Sequence, residues 1–369
     1  MPLQSFTVCV MSSTLLSSVL KAITIMIDAL DSVNVSNSAY VVLIIGTSIG
    51  DIAILCAVAY FFIKKQKQDY NEGYRGVDST GSEFAANFEA LQLLRLDERL
   101  LKKLKSVARG AYGEIWKGEI VALKCLLPGK SCQDEILLLV DEIKLTNKLE
   151  SPCIVKTLGA AWRIPSELQM VLEWMDRGDL TNVLKSTKPS ITGGDSPNFP
   201  WTEKITTMLA IADGLTYLHA FDIIHRDLKS HNVLLDSMKE TKLADFGVSR
   251  EVTSETMTIG VGTYRWMAPE ILQNNYYSTA ADIYSFGMVI AELNMHHIPY
   301  SDKRNDQGHA LVDTAIMSLV MQGAIKPTFT DSCPAWIRKL AEDCIEVKAE
   351  DRPSAISVAQ IIRQHLKQA

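Results

Sequence analysis

The sequence predicts an α+β domain of two unequal parts, a small antiparallel β-sheet part with one helix and a large, mainly helical part, preceded by one transmembrane helix. Three observations carry this. Short runs of β-type residues recur between about residues 96 and 175, helical periodicity dominates from there to residue 368, and an unbroken apolar stretch lies near the N-terminus.

The apolar stretch is Ala39–Ile63, followed at once by Lys64, Lys65 and Lys67. As a helix of about 25 residues it spans about 37 Å, enough to cross roughly 30 Å of hydrocarbon with some tilt. Asp51 near its middle costs about 2.5–3.5 kcal/mol on insertion, which the surrounding Val, Ile and Leu offset. A buried core helix of this length would show a polar face, and this one shows none. Lys21 is the only basic residue before the span, so the lysines after it place the C-terminal part in the cytoplasm. Gly46 and Gly50 form a GxxxG through which two copies could pair as a homodimer. Residues 1–38 read as an extracytoplasmic segment. Its apolar run Phe6–Ile27 has no basic start, which leaves a signal peptide, a second membrane segment and the remnant of a longer ectodomain all open. Residues 64–95 read as a juxtamembrane linker.

A net charge of −6 offers no basic surface for nucleic acid. The seven cysteines form no CxxC pair and read as buried small hydrophobes, not as a disulfide frame or a zinc site. In the small part the β-type runs are Gly113–Lys117, Ile120–Cys125, Ile154–Leu158 and Leu168–Glu173, interrupted by a helical run at Asp134–Leu149. In the large part Ile205–Ala220, Ala280–Leu293 and Ala335–Ile345 carry helical spacing.

The chemistry-bearing residues fall in a fixed order. Ala108-Arg109-Gly110-Ala111-Tyr112-Gly113-Glu114-Ile115 is a glycine turn between strand-like runs, whose backbone N–H groups can approach phosphates. Alone it describes an ordinary hairpin. Val121-Ala122-Leu123-Lys124 ends an apolar strand on a lysine, which alone reads as a surface residue with a buried stem. Just downstream of a glycine loop, that lysine can reach α- and β-phosphates, with Glu142 as its carboxylate partner. The adjacent Asp141 points about 100° away around the helix. His225-Arg226-Asp227-Leu228-Lys229-Ser230-His231-Asn232 then supplies in one loop an acid to orient a hydroxyl, a lysine for the γ-phosphate and an amide to ligate magnesium. Asp245-Phe246-Gly247 follows with the main metal carboxylate. Each motif means little alone; together, in this order, they describe phosphoryl transfer from ATP with Mg2+.

With these motifs in place, residues 96–368 resemble a eukaryotic protein kinase domain, with a small lobe at 96–175 and a large lobe at 176–368. Gly262-Thr263-Tyr264-Arg265-Trp266-Met267-Ala268-Pro269-Glu270 and the Asp282–Gly287 segment resemble the tyrosine kinase-like group in particular. The resemblance implies that Asp227 is the catalytic aspartate, Lys229 contacts phosphate, Lys124 pairs with Glu142, and Asn232 with Asp245 holds magnesium. It implies a nucleotide covered by Ala108, Gly110, Gly113 and Ile115, an adenine ring between Ala122 and Leu234, and a gatekeeper at Leu172. The backbone of Glu173 and Met175 would meet the adenine edge, and Asp179 the ribose. Thr263 and Glu270 would belong to the platform for a protein substrate, with Glu270 clamped structurally by Arg352. Lys229 with Thr263 implies serine or threonine hydroxyls, with tyrosine or dual specificity as the alternative in this group. Arg226 beside Asp227 implies control by activation-loop charge, with Thr253, Ser254, Thr256 and Thr258 as candidate phosphosites.

Three positions depart from the family pattern. Ala108 stands where the first glycine is usual. The hairpin Trp116–Val121 is short, with a tight turn expected at Gly118-Glu119. Thr146 and Thr157 stand where the regulatory spine, with His225 and Phe246, carries large apolar residues. Two threonines bury less surface, an expected loss of about 1–3 kcal/mol of packing in the active arrangement, and hence low basal activity. These departures keep a catalytically dead scaffold as the alternative. Against it, Lys124, Glu142, Asp227, Asn232 and Asp245 are all present. A small-molecule phosphotransferase conflicts with the complete Ala268-Pro269-Glu270 and Asp282–Gly287 segments.

Overall fold

The computed structural model describes residues 80–109, 113–118, 120–127, 132–189, 195–246, 263–274 and 276–368. The chain divides at Gly81, and the architecture below is that of the unit Ser82–Ala369. The expected span Ala39–Ile63 with Gly46 and Gly50 lies outside the described residues, as do Gly110 and the loop positions Thr253, Ser254, Thr256 and Thr258. Among the described residues no helix is long and apolar enough to cross a membrane.

The small lobe is a five-stranded antiparallel sheet in the order β1-β2-β3-β5-β4, with β1 at Lys105–Arg109, β2 at Gly113–Lys117, β3 at Val121–Leu126, β4 at Thr157–Ala161 and β5 at Gln169–Glu173. Alternation along β3 sets its two faces. Leu123 and Cys125 are buried with Ala161 and Val171, while Ala122 and Lys124 point the other way. Gly113 is required by the β2–β3 pairing, because a Cβ there would sit 2.6 Å from the Cys125 carbonyl oxygen. The pairing runs one rung further than expected. Gly118 N–H donates to the Val121 carbonyl at 2.7 Å, so Gly118 belongs to the pairing and not to the expected turn; Glu119 lies outside the described residues.

Two helices pack on this sheet, α1 (Thr80–Leu91) and α2 (Gln133–Thr146). Helix α2 buries Ile136, Leu139, Val140 and Ile143 at helical spacing. Its start is held by Cys132 N–H donating to the Glu135 carboxylate at 3.2 Å, with Asp134 and Glu135 at the positive end of the helix. Helix α1 corrects the expected linker. Phe84, Phe88 and Leu91 recur at i, i+4 and i+7 and pack with α2, Trp162 and Met170, Leu91 being fully buried. Phe88 meets Trp162 edge-on at 5.6 Å, and Arg95 donates to the Trp162 carbonyl at 2.9 Å. The folded lobe therefore begins before residue 96, since these apolar side chains have a partner that only the fold supplies.

The large lobe is built from α3 (Leu180–Ser186), α4 (Trp201–Ala220), α5 (Pro269–Asn274), α6 (Thr279–Met295), α7 (Asp313–Met321), α8 (Ala335–Cys344) and α9 (Ala355–Leu366). A three-stranded sheet, β6 (Gly178–Asp179), β7 (Val233–Asp236) and β8 (Glu240–Leu243), lies at its upper edge. Helix α6 is buried nearly all round, so it forms the centre of the lobe. A Cβ at its Gly287 would meet Ile345 at 2.6 Å and Cys344 at 2.9 Å, which explains the close approach of α8.

Arg352 and Glu270 form the expected clamp. The guanidinium, wholly buried, donates to both Glu270 oxygens at 2.6 and 2.8 Å and to the carbonyls of Ala280, Glu346 and Val347. Arg352→Met strands a mostly buried carboxylate and should lower stability by about 3–5 kcal/mol. Lys339→Ala breaks the exposed Lys339–Asp343 pair and should leave the midpoint close to the parent's, because solvent screens the two charges. Denaturant midpoints at constant slope check both.

Candidate active site

Lys124 stands where three elements meet. Its Nζ lies 2.5 Å from Glu142 Oε1 on α2 and 2.5 Å from Asp245 Oδ1, just after β8. Burial acts to lower the lysine's pKa, but the charges of Asp245 and Glu142 and their hydrogen bonds outweigh it and hold the ammonium above its usual range. Asp141, the neighbouring acid, is exposed and takes no part. Asp245 adopts a left-handed backbone, φ 55°, and the next residue, Phe246, is buried with its ring edge-on to His225 at 6.0 Å.

The loop carrying Asp227 is held from below by a buried acid. The N–H groups of His225 and Arg226 donate to Asp282 Oδ2 and Oδ1 at 2.8 and 3.0 Å, and His219 Nε2 lies 2.9 Å from Oδ2. This grip sustains the left-handed turn at Arg226, φ 67°, which a non-glycine residue adopts at a cost of order 1–3 kcal/mol. Lys229 Nζ then donates to both Asp227 oxygens at 2.9 Å and to Thr263 Oγ1 at 3.2 Å. Asn232 Nδ2 donates to the Asp227 carbonyl at 2.7 Å and to its Oδ2 at 3.1 Å, while the Asn232 carbonyl accepts from Ala244 N–H at 2.9 Å. Asn232 thereby ties the loop to the strand that delivers Asp245. Burial holds the His225 imidazole pKa down. Arg226 lies over the Tyr277 ring at 5.7 Å, and its buried Nε has no hydrogen-bond partner among the described residues.

The remaining positions fall around the cleft. Leu172 pairs with Ala122 on β3 and Thr157 on β4, Ile115 lies opposite Lys124, and Ala108 lies opposite Ile115 on the outer strand. The Glu173 carboxylate accepts from Lys242 Nζ at 2.6 Å and Lys156 N–H at 2.8 Å; its own N–H donates to the Lys156 carbonyl at 3.0 Å. The Met175 carbonyl accepts from Gly178 N–H at 3.3 Å. Asp179 serves as the N-cap of α3, its carboxylate accepting from Asn182 N–H at 3.0 Å, and it pairs with Leu234 across β6–β7. Thr263 reaches Lys229, whereas Glu270 is turned into the Arg352 clamp.

A residue that the sequence did not single out lies beneath the loop. Glu292 is fully buried on α6; Oε1 accepts from Ser230 Oγ at 2.7 Å and Oε2 from Trp266 Nε1 at 2.6 Å. It links the catalytic loop to the segment bearing Thr263. Burial pushes its carboxyl pKa up to about 8, against the downward pull of those two hydrogen bonds. The available signal was a glutamate late in a largely apolar helical run that also carries Asp282.

Among the described residues no three His, Cys, Asp or Glu side chains converge as a metal cage. One carboxylate at Asp245 and one amide at Asn232, whose nitrogen is turned to Asp227, fit magnesium instead. That ion binds through one or two protein oxygens and takes its other ligands from phosphate and water.

Fold and site together define a two-lobed α+β domain whose charged groups converge between the lobes. The family described as the protein kinase domain matches residues 102–365, and the chain belongs to that family. The serine/threonine-protein kinase STY17 of Arabidopsis thaliana is 31% identical over 278 residues, covering 74% of this chain and 46% of the relative. STY46 of the same plant is 31% identical over 276 residues, 73% and 45% of the two chains. In Dictyostelium discoideum the protein named "Probable serine/threonine-protein kinase drkB" is 30% identical over 328 residues, 87% and 43%. The chain spans less than half the length of these curated relatives.

Glu292 gives the fold a pH dependence. Its carboxyl is held well above the ordinary 4.5, so its contribution is complete below pH 4.5, where the unfolded chain is protonated too, and is lost as pH rises to about 8. Glu292→Gln should therefore gain melting temperature relative to the parent between pH 5 and pH 8. A difference that stays constant across this range would contradict it.

Proposed function

We infer that the protein is a membrane-anchored kinase of the tyrosine kinase-like group, which transfers the γ-phosphate of ATP to serine or threonine hydroxyls of proteins. The observation that carries this is Lys229 joined to both oxygens of Asp227 and to Thr263. Asp227 orients the incoming hydroxyl and takes its proton, and Lys229 places positive charge beside the phosphoryl oxygens. Thr263 keeps Lys229 in register with the substrate platform. Lys124 holds the α- and β-phosphates. At the adenine edge, Glu173 N–H and the Met175 carbonyl are already bonded, so the Glu173 carbonyl and the Met175 N–H are the complementary acceptor and donor. Asp245 and the Asn232 amide oxygen would hold magnesium, which when bound neutralises phosphate charge.

Arg226 supports control by phosphorylation. Its Nε, without a hydrogen-bond partner among the described residues, lies in the loop beside Asp227, and a phosphate on Thr253, Ser254, Thr256 or Thr258 would supply an anion for it. Membrane anchoring rests on the apolar run Ala39–Ile63 and the lysines that follow it, with Gly46 and Gly50 as a contact for a homodimer.

The full-length protein with Mg-ATP and a generic protein substrate should yield phosphoserine or phosphothreonine. Asp227→Asn should reduce the rate by at least about 100-fold. A folded, ATP-binding, loop-phosphorylated protein that transfers nothing, or that yields phosphotyrosine alone, would refute the assignment. Membranes washed with alkaline carbonate should retain the protein, and its release would contradict anchoring.

A further inference from the structure

Thr146 and Thr157 do more than leave the spine short of apolar surface. Both are buried, at 6% and 4% exposure, and they meet through their hydroxyls. Thr157 Oγ1 donates to Thr146 Oγ1 at 2.7 Å, and Thr146 Oγ1 donates in turn to the backbone carbonyl of Glu142 at 2.8 Å. The hydroxyl–hydroxyl bond joins the first residue of β4, opposite Leu172, to the last residue of α2, one turn beyond Glu142, whose carboxylate grips Lys124; the Thr146–Glu142 bond lies within α2 itself.

We propose that this hydroxyl relay is a polar latch, in which Thr157 and Thr146 act as positioning residues that hold Glu142 in reach of Lys124. Apolar packing at these positions would resist separation of α2 from the sheet but would let the helix slide or rotate. The directional hydroxyl bond from β4 to α2 fixes both distance and rotation, and it acts in a buried setting where water cannot replace it. The relay also has a direction. Thr157 is the terminal donor and Thr146 both accepts and donates, so the two positions are not equivalent. Removing the Thr157 hydroxyl leaves the Thr146 bond to Glu142 intact. Removing the Thr146 hydroxyl strands the buried Thr157 donor, which is the costlier loss, while Glu142 keeps its place in the backbone of α2. The expectation of a weakened spine is thereby reversed: the threonines substitute direction for bulk.

The proposal rests on the phosphotransfer reading above, and transfer by the parent protein that Asp227→Asn abolishes checks that reading first. In an active full-length protein, Thr157→Val keeps shape and loses the hydroxyl; it should lower kcat by about 2- to 10-fold with KM for the protein substrate unchanged. Thr146→Val should lower it further. Thr157→Ser, which keeps the hydroxyl and loses the methyl, should stay near the parent rate. Because the latch works through the Glu142 carboxylate, Thr157→Val placed on Glu142→Gln should cost nothing further. A merely structural role would give the same fold-loss in both backgrounds, and that result would overturn the latch. So would a Thr157→Ser slower than Thr157→Val, or a Thr146→Leu/Thr157→Leu protein faster than the parent. Melting curves at the assay temperature establish that each variant is folded.

Discussion

One ammonium group, Lys124 Nζ, holds the cleft together. It sits at 2.5 Å from a carboxylate of the small lobe and at 2.5 Å from one that follows the last strand of the large lobe. Without it Glu142 and Asp245 would face each other as like charges in a partly buried setting, which few arrangements tolerate. With it, α2 is drawn in, Asp245 is turned into the cleft by a left-handed backbone, and Phe246 is pressed into the interior. The site is therefore assembled by electrostatics at its centre and kept in place by packing at its rim, where α1 covers α2.

Below that centre two buried acids of α6 play different parts. Asp282 accepts backbone N–H groups, so it shapes the loop; Glu292 accepts from side chains, so it links the loop to the Thr263 segment. Their positions explain why a largely buried helix carries acids at all: Asp282 holds the His225–Arg226 backbone and the His219 end of α4, and Glu292 holds Ser230 and Trp266.

Much of the site was legible in the sequence because its residues lie in short segments of fixed order. Lys124 after an apolar strand, Asp227 with Asn232 in one loop and Asp245 after the next strands are local patterns, and the fold brings them together as those patterns implied. What was not legible depends on direction or on a distant partner. Residues 84–91 carried an apolar stripe, but the Trp162 and α2 surface that buries it lies far along the chain, so the stripe passed for linker. Thr146 and Thr157 showed their small size but not the orientation of their hydroxyls. Glu292 offered a charge without a visible partner, since Ser230 and Trp266 sit on other elements. Asp179, expected at a ribose, has a local role as a helix cap that spacing alone does not distinguish.

The measurement closest to the centre of this account is the ATP kcat/KM of Lys124→Met in the full-length protein, with folding followed in parallel. Loss of the ammonium leaves Glu142 and Asp245 as unneutralised like charges and, on the proposed function, removes the phosphate contact, so the ratio should fall by about 100-fold or more in a protein that still melts cooperatively. A Lys124→Met protein that keeps the parental kcat/KM would contradict the claim that this one charge organises the cleft.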